Sequence, residues 1–135
     1  MLGLLADVNA GGHLRALLIV CDGPSWRSLW AALDVHVFRL EQLGLPPSVA
    51  DDVLWRACQQ NNLVLLTANR NQQGSDSLGE TIVRESTPQS LPVVTLADAE
   101  RVLLDRAYCD RAVERFIEIL MDIDLFRGSG RLWIP

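Results

Sequence analysis

Residues 63–67 read Leu63, Val64, Leu65, Leu66, Thr67, and the chain continues Ala68, Asn69, Arg70, Asn71. An unbroken apolar run closed abruptly by polar residues is how a strand buried on both faces of a parallel sheet reads. Such a strand needs helices above and below it, and the neighbouring sequence supplies them. Upstream, Val53, Leu54, Ala57 and Cys58 fall at helical spacing, with Ser48 as the candidate cap and Asn61 and Asn62 at the exit. Downstream, residues 67–76 read as a polar loop, 77–86 as a helix, 88–92 as a loop and 93–95 as a second buried strand.

The same alternation extends to both ends. An apolar run over Leu2–Ala6 ends at Asp7, and Gly11 and Gly12 lead into Leu14, Leu17 and Leu18, giving strand, turn and helix. Ser25 is placed to cap a helix whose Trp26, Leu29, Trp30 and Leu33 form one apolar stripe, suited to the core or to a dimer contact. Val35–Phe38 is short and β-prone, and 44–47 is a loop. Asp98, or Thr95 just before the turn, leads into a helix holding Val102 and Leu103. Residues 108–123 then place Ala112, Val113, Phe116, Ile119, Leu120 and Ile123 on one face and charges on the other. Short apolar strands alternating with helices predict an α/β three-layer sandwich with a mostly parallel central sheet, in a single domain spanning 1–135.

Composition narrows the chemistry. With 135 residues, 49% of them apolar, and a formal charge of -5, the chain has enough apolar side chain for one core. All 12 basic residues are arginine, so Schiff-base chemistry and a phosphate-loop lysine are excluded. A pI near 4.9 argues against a surface that grips nucleic acid all over, but leaves room for a local arginine patch. Cys21, Cys58 and Cys109 have no CxxC spacing and read as buried thiols of a reducing compartment. The opening residues lack a basic leader, Asp7 interrupts their apolar run, and no stretch approaches the roughly 20 residues of a membrane span. A cytoplasmic protein outside the membrane is the expectation.

In parallel α/β sheets, ligands sit beyond the carboxyl ends of the strands. Asp7 and Asn9 follow the first strand, and Thr67, Asn69, Arg70 and Asn71 follow the run at 63–67. Asp51 and Asp52 open the intervening helix, and Asp76 and Ser77 open the next. Clustered there, these oxygens suit Mg²⁺ or Mn²⁺ and activation of water against phosphate. The plainer reading is that Asp51 or Asp52 caps one helix and Asp76 the next.

The order of pieces resembles the PIN-like domain, in the compact branch often encoded in bacterial toxin-antitoxin operons. The likeness rests on an opening strand ending in Asp7, the Gly44-Leu45 loop before Asp51, the LVLLT strand with its polar turn, and LPVVTL at 91–96; it covers about 2–120. The resemblance implies metal-dependent RNA cleavage by clustered acids. It places Asp7, Asp51 (or Asp52) and Asn69 in the catalytic positions, Asp7, Asp51 and Asp76 around the metal, and Arg70, Asn9 and Asn71 against the substrate. Relatives commonly read T-x-D-x-D after that strand, whereas this chain has amides at Asn69 and Asn71. An amide offers a cation an oxygen but no charge, and accepts no proton from water. Residues 69–78 and 127–135 together resemble a PIN-like subgroup that carries this asparagine version.

Two functions follow from that resemblance. One is a Mg²⁺- or Mn²⁺-dependent ribonuclease with a partly degenerate acidic site, the toxin of an operon pair, whose partners are RNA, an antitoxin and a second copy in a homodimer. The other is a non-catalytic interaction module on the same fold. Asp76 and Glu80 are the candidates to replace the missing charge. Gly128, Ser129 and Gly130 between Arg127 and Arg131 read as a turn sending an apolar tail onto the sheet edge or a partner, since no helix follows to complete a phosphate loop. His13 and His36 are isolated, and Arg70 is the expected phosphate contact.

Overall fold

The computed structural model describes residues 1–69 and 77–135. Five strands form one sheet: β1 Leu2–Ala6, β2 Val35–Phe38, β3 Leu63–Thr67, β4 Val93–Leu96 and β5 Arg131–Ile134. Their order is β2-β1-β3-β4-β5, and every pairing is parallel. Among the described residues the helices are α1 Gly11–Cys21, α2 Arg27–Leu33, α3 Asp51–Gln60, α4 Leu78–Glu85, α5 Ala99–Leu104 and α6 Arg106–Met121.

β3 occupies the centre of the sheet, and all its residues are buried. Its side chains alternate between two cores, as strand pleating requires. Val64 and Leu66 join Leu4, Val94, Leu96 and Ile134 beneath α1 and α6, where Leu17, Val113, Phe116 and Ile117 close the layer. Leu63 and Leu65 join Leu5 and Val93 against Leu54, Trp55 and Cys58 of α3 and Leu78 and Ile82 of α4. The result is the three-layer sandwich, with the sheet wholly rather than mostly parallel.

Several local readings shift. The Trp26 stripe packs half-buried on the rim of the α1–α6 core, and α2 begins at Arg27 with no side-chain cap from Ser25. Ser48 does not cap α3 either; its N-cap is Ala50. α6 starts at Arg106, ahead of the expected position, because the Asp105 carboxylate caps it by accepting from the Tyr108 N–H. Gly128 and Gly130, at φ +83° and +80°, make the turn before β5, and a Cβ at Gly128 would meet Pro88 at 3.1 Å. That turn lays the apolar tail on the edge of the sheet beside β4, as expected. Burial pushes the Cys21 and Cys58 thiols up to about 12 and raises Cys109, in keeping with packed rather than nucleophilic cysteines. No helix among the described residues is long and apolar enough to cross a membrane.

Because β3 packs on both faces, truncation toward either core is expected to be costly. Leu65→Ala and Leu66→Ala should each lower unfolding stability by about 2–5 kcal/mol in urea titrations. A near-neutral result for one of them would mean that its face is not packed.

Candidate functional site

β1 and β3 run side by side in parallel, so Asp7 and the residues after Thr67 emerge at the same edge of the sheet. The register matches Ala6 with Leu66, and the Asp7 N–H continues the ladder to the Leu66 carbonyl at 3.0 Å. By the same alternation, Asp7 and Thr67 point to the α3–α4 side, the side of Leu5 and Leu65.

Thr67 is fully buried. Its hydroxyl donates to Asp7 Oδ2 at 2.7 Å across 60 residues of chain and accepts the Asn69 N–H at 2.9 Å. The second Asp7 oxygen accepts the Asn9 N–H at 3.0 Å, which caps the short 3-10 turn after β1. Asn69 then donates from Nδ2 to Asp51 Oδ2 at 2.8 Å, and the same oxygen accepts the Leu78 N–H at 3.2 Å. A continuous hydrogen-bonded chain therefore runs Asp7–Thr67–Asn69–Asp51 and ends on the first turn of α4. Asp51 stands in the first turn of α3 as well, so its carboxylate serves two helix N-termini at once.

Asp7, Asn9, Asp51 and Asn69 line one cavity of about 440 Å³, walled on the far side by Pro47, Ser48 and Val49. Asp52 does not join them: it accepts the Val53 N–H and lies 3.4 Å from Arg56 on the surface of α3. Arg70, Asn71 and Asp76 fall outside the described residues. The cap of α4 is Ser77, whose hydroxyl accepts the Glu80 N–H. Glu80 lines a separate groove beside Trp133, so it does not supply charge to the Asp7 cavity. His13 is absent from the cavity lining, and its Nδ1 is buried without a hydrogen-bond partner among the described residues.

Arg131 is the residue that sequence reasoning missed. The glycines before it suggest a turn, yet it opens β5 opposite Val93, whose side chain belongs to the α3–α4 core. Its Nη1 donates to the Asn69 carbonyl at 2.7 Å and to Thr95 Oγ1 at 2.9 Å. Desolvation pulls its pKa below the usual arginine value, against the attraction of Asp51, and Nη2 is buried with no hydrogen-bond partner among the described residues. The inward-facing position in Arg131-Leu132-Trp133-Ile134 was the available signal, but it required recognising those residues as a strand.

The donors in the cavity are hard oxygens. Two carboxylates with an amide match the ligand chemistry of Mg²⁺ or Mn²⁺, and the lining holds neither imidazole nor thiolate. Among the described residues there is no group of three or more His, Cys, Asp or Glu placed to hold a metal. Comparison of the chain with protein-family models, curated proteins and solved structures returned no match.

Thr67→Val keeps the shape of the side chain but leaves Asp7 Oδ2 and the Asn69 N–H without their common partner. It should cost about 1–3 kcal/mol of unfolding free energy, whereas Thr67→Ser should restore most of it. Equal stability of the valine variant and wild type in urea would show that the hydroxyl does not join the two loops.

Proposed function

We propose that this cavity is the site of a divalent-metal-dependent ribonuclease of PIN-like type, the toxin member of a toxin-antitoxin pair. The observation that carries this reading is the meeting of Asp7 and Asp51, from different elements, on one oxygen-lined cavity at the carboxyl ends of parallel strands. Asp7 and Asp51 would hold Mg²⁺ or Mn²⁺ with the Asn69 amide beside them. The ion supplies Lewis-acid polarisation of a phosphate oxygen and a water of lowered pKa. The protein's part is orientation: Thr67 and the Asn9 N–H fix the Asp7 carboxylate, while Asn69 and the Leu78 N–H fix that of Asp51. Arg131 fixes the Asn69 main chain.

A second reading is favoured by one specific contact. The Asn69 amide donates to Asp51 where an aspartate would repel it, so the Asp51 carboxylate has a partner here without a cation. On that reading the fold is a non-catalytic module acting through a protein partner or a second copy.

Thermal unfolding separates the two. Under the ribonuclease reading, Mn²⁺ at a hundredfold excess over its Kd stabilises by about 2.7 kcal/mol, which raises Tm by roughly 5–10 °C for a domain of this size. Asp7→Ala should abolish both that rise and cleavage of unstructured RNA. Asn69→Asp should lower Tm without metal, because two carboxylates then face each other, and should enlarge the rise with metal. A flat Tm with intact RNA would leave the interaction module as the function.

A further inference from the structure

On the other side of Asp7 lies a second concavity, of about 510 Å³, between α1 and β2. Asp7, Val8 and Pro47 line both it and the oxygen-lined cavity, so the two share a wall. Leu18, Val37, Phe38 and Leu45 make this groove apolar, and Arg15 and Arg39 bring two guanidiniums to it, with Glu41 as its one further acid. Its size falls in the range of roughly 300–1,000 Å³ typical of small-ligand sites, which are also mainly apolar with a few polar groups.

The arginines are distributed unevenly. Arg56, Arg84, Arg101, Arg106, Arg115 and Arg127 each face an acid of the chain; Arg15, Arg27, Arg39, Arg111 and Arg131 make no ion pair among the described residues, and of these Arg15 and Arg39 line the groove. Two exposed, unpaired cations beside an apolar floor, in a chain of net charge -5, complement a ligand that is both anionic and apolar. Sharing the Asp7 wall further requires the apolar part to lie one short step from whatever occupies the acidic cavity. A nucleotide has that form: a flat base joined through its sugar to a phosphate. Phe38 turns its ring to the α3–α4 core, so the apolar surface that meets such a base is that of Leu18 and Val37.

We infer that the groove receives an unstacked nucleobase of single-stranded RNA, with Arg15 and Arg39 on the adjoining backbone phosphates. Single-stranded RNA is the favoured form because a paired base must first be unstacked and unpaired to enter a side pocket, at a cost of about a few kcal/mol. The inference rests on the ribonuclease reading for the phosphate at Asp7.

Binding measured in EDTA, where no metal-dependent cleavage occurs, tests it with the 135-residue chain. A fluorescent oligouridylate is compared with an abasic ribose-phosphate chain of the same length and charge. The oligouridylate should bind about tenfold more tightly, and Val37→Gln should erase that preference. Arg15→Glu and Arg39→Glu should each weaken binding about tenfold and flatten its salt dependence. Equal binding of the two chains overturns the inference, as does unchanged affinity in both arginine variants with native circular dichroism. Self-association through this groove without RNA affinity also overturns it. Should the variants misfold, uridine monophosphate added to the wild type must shift the amide resonances of Leu18, Val37 and Phe38, and shifts confined elsewhere contradict it. A base preference without cleavage in Mn²⁺ defeats the ribonuclease reading and leaves the groove standing, while cleavage without a base preference does the reverse.

Discussion

The central strand, buried on both faces, is the constraint on which the rest of the structure depends. Because Val64 and Leu66 enter one core and Leu63 and Leu65 the other, β3 cannot slip by a residue without turning both sets of side chains the wrong way. That fixed register places the Thr67 hydroxyl between Asp7 and the Asn69 main chain. A short polar side chain at the end of an otherwise apolar strand thus sets the position of two loops distant in sequence. The convergence of Asp7, Asn69 and Asp51 on one cavity is a consequence of sheet order, with β3 as the immediate neighbour of β1.

Much of this was legible in the sequence, for reasons that differ from element to element. An unbroken apolar run such as 63–66 has no polar face to turn to water, so it demands cover on both sides, and the layers and the parallel sheet followed from that demand. Asp7, Asp51 and Asn69 followed from asking which polar residues stand at strand ends and helix starts. Helix caps were less legible: Ser25 and Ser48 have the right chemistry but stand one and two residues ahead of the N-cap positions, which Trp26 and Ala50 occupy. Arg131 was not legible as a site residue, since its inward direction depends on β5 pairing beside β4, and nothing local in a glycine-flanked segment announces that pairing. Glu80 failed as a substitute acid because α4 turns it toward a different groove.

The asparagine at 69 changes what the cavity is in its resting state. A carboxylate there would stand against Asp51 and depend on a cation for relief, whereas the amide donates to Asp51 and closes the network on its own. Arg131 adds a partly buried positive charge that Asp51 attracts, so part of the acidic charge is balanced within the protein. On the ribonuclease reading proposed above, both features would leave the site preorganised before an ion binds. On that same reading, Arg15 and Arg39, which border the adjoining groove, are the arginines proposed to meet phosphate.

Anomalous diffraction from a crystal equilibrated with Mn²⁺ tests the proposed metal site most directly. One anomalous peak is expected inside the cavity, in contact with the carboxylates of Asp7 and Asp51 and lost in an Asp7→Ala crystal. Manganese bound only to surface acids, with none between Asp7 and Asp51 at saturating concentration, would contradict it.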